Sequence, residues 1–84
     1  MRIAGVRVSP PFVRLLAQML EDGGYEATAT TITDAIALQA FEPALTLEDH
    51  DAMLAVLGDN CPTGLGPLRR QLLDEHALRR RLGR

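Results

Sequence analysis

Apolar side chains recur at three- and four-residue steps through most of the chain, and breaks rich in Gly and Pro divide that rhythm into four segments. In the first, Phe12, Val13, Leu15, Leu16, Met19 and Leu20 predict an amphipathic helix over 10–22. Ser9 followed by Pro10 and Pro11 opens it, the Ser hydroxyl being able to cap free backbone N–H groups, and Gly23-Gly24 supplies a left-handed stop. Upstream, RIAGVRV (2–8) reads as a short strand or an extended arm, weakened as a strand by Gly5.

The second segment, YEATATTITDAIALQAF, holds four β-favouring threonines, yet Ala29, Ile32, Ile36 and Ala40 keep helical spacing, which predicts a helix over 27–41. Thr31 with Asp34 offers a later start through a capping box, and Pro43 is expected to end the helix. Thr46 with Asp49 opens the third helix, where Glu48, Asp49 and Asp51 suit the positive end of the dipole. Its apolar stripe is Leu47, His50, Leu54 and Leu57, widened by Met53 and Val56, and Gly58 ends it. The loop DNCPTGLGP is the one candidate hinge. A last helix begins near Pro67 with Leu65, Leu68, Leu72 and His76 on one face and Leu78 and Leu82 beside them, and its RRRLGR tail is expected to fray.

These elements predict an all-α single domain over 1–84, a four-helix orthogonal or bundle-like arrangement with a short extended N-terminal arm. At this length folding removes only about 60% of the surface the unfolded chain exposes, so the core is thin and association of chains would help it. Cys61 is the only cysteine, which excludes an intrachain disulfide. MRIAGVRVSPP is too short and interrupted for a signal-peptide core, and no run approaches a membrane span, so the expected location is the cytoplasm. The abundance of Arg, Ala, Leu and Gly with no lysine matches a GC-rich coding sequence.

Charge is segregated. Residues 1–14 sum to +3, residues 15–68 to −9 and residues 69–84 to +4. Ends and middle can therefore fold on one another, or each can meet a partner of opposite sign.

Candidate chemistry is sparse. Glu48, Asp49, His50 and Asp51 are consecutive, so on a helix their side chains diverge and do not form a metal site. His50 and His76 lie on apolar stripes as packing residues. Cys61 precedes Pro62 with no helix start immediately after it to activate the thiol. No phosphate-binding glycine loop is present, and neither an enzyme nor a cofactor is expected.

The first half, with an extended segment, a helix, a Gly-Gly-Tyr turn and a helix carrying Asp34-Ala35-Ile36, resembles ribbon-helix-helix regulators and antitoxins across residues 2–40. That resemblance implies a DNA-reading ribbon bearing Arg2 and Arg7, which the spacing puts on opposite faces of the ribbon, with a connection to the second helix several residues longer than the pattern. The second half, ALTLEDHDAMLAVLGDNCPTGLGPLRRQLLDEHALRRRLG, resembles the ends of small uncharacterised helical proteins of GC-rich actinobacteria or their phages. It implies a helical fold in a regulatory or phage-related setting and carries over no functional residue. The residues themselves point to a small non-enzymatic interaction or regulatory module, a homodimer, that binds protein through its last helix. Leu68, Leu72, Leu78 and Leu82 are the expected anchors, and Arg69, Arg79 and Arg80 the selectors of an acidic partner. Nucleic acid is the alternative partner; neither a membrane nor a small-molecule substrate is expected.

Overall fold

The computed structural model describes residues 1–58 and 60–83. They form two short strands, β1 (Arg2–Ile3) and β2 (Val6–Arg7), and four helices, α1 (Pro10–Asp22), α2 (Glu26–Ala37), α3 (Leu47–Leu57) and α4 (Gly66–Leu82). A 3-10 turn, Thr63–Leu65, leads into α4.

The N-terminal segment is neither a lone strand nor an arm but a closed hairpin, pairing Arg2 with Arg7 and Ile3 with Val6. Ala4 and Gly5 both take positive φ (52° and 83°), the backbone that a tight two-residue hairpin of right-handed twist requires. Gly5 is thus the turn residue rather than a weakness within a strand. The Arg2 guanidinium donates to the Gly5 carbonyl at 3.2 Å and holds the turn. Ile3 and Val8 are fully buried, so the hairpin closes one side of the core.

Helix α1 has the predicted bounds, but the Ser9 hydroxyl makes no cap bond. The Ser9 carbonyl instead accepts from the Phe12 and Val13 N–H groups at 3.0 and 3.1 Å. Val13, Leu16, Ala17 and Leu20 are buried, while Leu15 faces outward. At the C-terminus Gly24 takes φ +89°, the Tyr25 N–H reaches the Leu20 carbonyl at 2.8 Å and the Gly24 N–H reaches Glu21 at 3.1 Å.

Helix α2 starts one residue earlier than predicted and ends well before Pro43. Thr31 does not cap: its hydroxyl donates to the Ala27 carbonyl inside the helix. Termination comes from Gln39 at φ +55°, with Ala40 N–H on the Ala35 carbonyl at 2.9 Å and Gln39 N–H on Ile36 at 3.0 Å. This is the same left-handed stop that closes α1, built without glycine.

Thr46 and Asp49 form the predicted reciprocal capping box at the start of α3. The buried face of α3 is Ala52, Met53 and Leu57; Leu47, expected on that face, is exposed. Helix α1 packs against α2 and α3, α3 packs against α4, and β2 sits on α4. The core takes side chains from every segment, with Leu16, Leu20, Ile32, Met53, Leu57, Leu65 and Leu68 fully enclosed.

The connection before α4 is filled rather than hinged. Leu65 is buried, and the Phe12 ring stands where a Cβ on Gly64 would be. Asp59 of this loop lies outside the described residues. The RRRL stretch, expected to fray, continues the helix to Leu82, and the Gly83 N–H bonds the Arg79 carbonyl at 2.8 Å. Three arginines in the last turn suit the negative end of the dipole. Among the described residues no helix is long and apolar enough to cross a membrane.

The Phe12 ring fixes one expected result. Gly64→Ala forces the ring or the turn to move and lowers stability in urea unfolding by roughly 1–3 kcal/mol. Gly66→Ala, at a helical position with nothing within 4 Å of the added methyl, leaves stability unchanged or raises it by up to about 1 kcal/mol.

Candidate functional site

The polar groups that bridge helices gather at one end of the molecule, where the N-terminal turns of α2 and α3 meet the second half of α4. Asp49 is the junction. Its carboxylate accepts from the Thr28 hydroxyl of α2, from the Thr46 N–H at 2.9 Å and from the Thr46 hydroxyl at 3.1 Å. Thr46 returns the bond, its hydroxyl oxygen accepting from the Asp49 N–H at 3.2 Å. Thr28 is the one buried polar side chain among the described residues, and the link to Asp49 satisfies it.

Burial pushes the Asp49 carboxyl up, but the bonds from Thr28 and Thr46, with a smaller contribution from the nearby His50, outweigh it and hold the group below its ordinary value.

Along the seam between α3 and α4 runs a second set of polar groups. Arg79 Nη2 donates to Asp51 Oδ1 at 2.8 Å, and His76 Nδ1 lies 3.9 Å from the same oxygen. The Arg79 bond holds the Asp51 carboxyl below the usual carboxylate range against the smaller opposing effect of burial. Asp51 is half exposed, so the pair contributes only about 0.2–1 kcal/mol. One turn along, His50 Nδ1 and Glu75 Oε2 approach to 3.2 Å. Both atoms are shut off from solvent, yet neither forms an aligned hydrogen bond, so the pair is a close electrostatic contact rather than a made bond.

Beside Asp49 lies an open groove, lined by Tyr25, Glu26 and Thr28 of the α2 start and by Glu48, Asp49 and Asp51 of α3. Glu26 and Glu48 meet no cationic side chain within 4 Å among the described residues. Tyr25 is partly exposed along the same wall. The groove is therefore acidic, edged by an aromatic ring, and Arg79 and His76 of α4 approach it through Asp51.

The predicted partner-binding residues separate into two sets. Leu68 and Leu72 are fully buried core side chains and are not available to a partner. Arg69 is half-buried, and Arg79 is occupied by Asp51. Leu78 and Leu82 are 53% and 75% exposed, next to the exposed Arg80 and Arg81. The buried stripe of α4 ends at Leu72, which places the first two leucines inside and the last two outside.

His50 and His76 meet carboxylates, not one another's ligands, and no group of three or more His, Cys, Asp or Glu side chains is placed to hold a metal among the described residues. The half-buried Cys61 thiol donates to the neighbouring Pro62 carbonyl at 3.4 Å. Its hydrogen-bond partner is thus backbone, while His50 and His76 face Glu75 and Asp51, and no thiol–imidazole bond is present among the described residues. No family model, curated protein or solved structure gives a significant match to this chain. The functional reading therefore rests on these residues alone.

Tyr25 and Glu26 are surface residues that the sequence does not single out, and Glu48 is read there only as a helix-start acid and a rejected metal ligand. Each is accounted for locally as a turn or helix start, and they come together where α2 and α3 pack on α1 and Thr28 reaches Asp49. A threonine among the apolar positions of α2 is the one signal that could have pointed there.

Two results are expected at this junction. Asp49→Ala removes three accepted bonds and leaves Thr28 without a partner, lowering stability by roughly 1–2 kcal/mol in chemical unfolding. Because Asp49 and Asp51 are both held below the ordinary carboxylate value, the unfolded chain takes up their protons first as pH falls. Their stabilisation is present above about pH 4 and is lost as pH drops through the folded-state values, so the midpoint of urea unfolding falls below about pH 4. The Asp49→Asn chain loses less over that interval; an equal loss in both would remove Asp49 from the account.

Proposed function

We propose that this chain is a small non-enzymatic interaction module, regulatory in role, that binds protein through the exposed second half of α4. One observation carries the reading: α4 keeps its helix for nearly three turns beyond its last buried leucine, and those turns carry the exposed Leu78, Leu82, Arg80 and Arg81. Exposed leucines give area without direction, and unpaired arginines give selection for an acidic surface. Arg79 serves to orient the helix through Asp51 rather than to recognise a partner. The core leucines Leu68 and Leu72 support this element from beneath. A bundle-like arrangement, in which α4 is an outer helix with one side turned to a partner, agrees with the reading, as does a soluble intracellular setting.

The DNA-reading alternative has less to draw on, because Arg2 is engaged at the hairpin turn and its strand is already paired within the chain.

A photo-reactive phenylalanine in place of Leu82 tests the reading in cells. It is expected to give a discrete adduct that disappears when Arg80→Glu and Arg81→Glu are added, while the same probe in place of Thr30 on α2 gives none. Equal adducts from both positions, or none from position 82, would overturn it.

A further inference from the structure

The last-turn arginines of α4, Arg79 to Arg81, lie at the end of the helix that reaches the groove at the starts of α2 and α3. Arg79 already bridges them in one chain by reaching Asp51, which lines the groove. Successive residues on a helix turn by about 100°, so Arg80 and Arg81 diverge from Arg79 and cannot follow it onto the same wall. Both are exposed and neither has a carboxylate within 4 Å among the described residues. Glu26 and Glu48, also exposed, are the matching acids without a cation. Each chain thus carries unpaired arginines and unpaired carboxylates on elements that the Arg79–Asp51 bond joins.

That adjacency is the requirement of a two-fold contact. In an isologous pair the residue that gives on one copy must lie near the residue that receives, so that one rotation satisfies both. We infer that the end of α4 docks on a second copy of this chain, with Arg80 and Arg81 of each copy against Glu26 and Glu48 of the other. Leu78, three residues before Arg81 and so on its side of the helix, borders the same contact, and the part-exposed Tyr25 ring lines the groove that receives it. The inference rests on α4 being the binding element and adds the surface it meets. It accounts for the segregated charge: the acidic middle and the arginine end, left almost unpaired within one chain, neutralise each other between two.

Charge complementarity at an exposed surface is screened by salt, and this supplies the test. Sedimentation equilibrium of the intact chain is expected to give twice 9.2 kDa at about 0.02 M salt and the single mass at about 0.5 M. Glu26→Arg with Glu48→Arg, and separately Arg80→Glu with Arg81→Glu, each give monomers at low salt that keep helical circular dichroism. An equimolar mixture of the two variants restores the doubled mass, because both contacts are then again between opposite charges. Misfolded variants could not produce that rescue. A wild-type monomer at low salt overturns the inference, as does a mixture that stays monomeric. A dimer lost with the arginine changes but kept with the glutamate changes discards the groove and leaves α4 as the binding element. A dimer indifferent to both sets discards the groove contact and α4's part in the dimer together.

Discussion

The Asp49 carboxylate is the constraint on which this end of the fold depends. It is an anion at the first turn of α3, where the helix dipole favours negative charge, and it takes up the hydroxyl of Thr28 from the first turn of α2. Two helix starts are thereby joined by one side chain. A half-buried carboxylate costs desolvation, and the three accepted bonds offset that cost, as the lowered protonation of Asp49 shows. Everything polar at this end follows from the join. Glu26 stands at the start of α2 and Glu48 and Asp51 at the start of α3, so fastening the two starts concentrates acid along one groove. The same placement sets Asp51 beside α4, where it meets Arg79.

Charge segregation therefore has two layers. Part of it is local: acids at helix starts and arginines at a helix end answer the dipoles of their own elements. Part is left over after folding. Arg79–Asp51 is the one arginine–carboxylate pair among the described residues, and it is weak because it is wet. The fold gathers opposite charges at one end without letting them cancel, since helix geometry aims Arg80 and Arg81 elsewhere. Within a single chain the residue is an electrostatic surface of both signs.

What could be read from the chain alone was whatever is decided within a few residues. The bounds of α1 and the capping box of α3 follow from Ser9-Pro10-Pro11, Gly23-Gly24 and Thr46 with Asp49, although Ser9 caps through its carbonyl rather than its hydroxyl. The end of α2 was not legible, because a left-handed stop at Gln39 has no glycine to announce it and Pro43 offers a false one. Ala4-Gly5 hid the hairpin in the same way, with an alanine in the first positive-φ position. At the candidate site, the spacing of apolar residues put Leu68, Leu72, Leu78 and Leu82 on a helix, but not the point at which burial stops. That point depends on how far α3 extends beside α4. The groove was illegible for the same reason, since Glu26 and Glu48 line one groove only once α2 and α3 have packed on α1 and Thr28 has met Asp49.

The two halves of α4 are held by different forces, and this bears on how such a surface works. From Leu65 to Leu72 the segment is fixed by apolar burial, which gives way only when the core does. From Glu75 onward it is held by His50–Glu75, Asp51–Arg79 and the helix-end arginines, contacts that are individually small. The second half can therefore loosen at much lower cost than global unfolding, as elements with few buried apolar contacts do. A partner seated on Leu78 and Leu82 would add the burial that this half lacks, and its binding free energy would appear directly as stability of those turns. The helix end that is least secured by its own chain is thus the one whose order responds most to being bound.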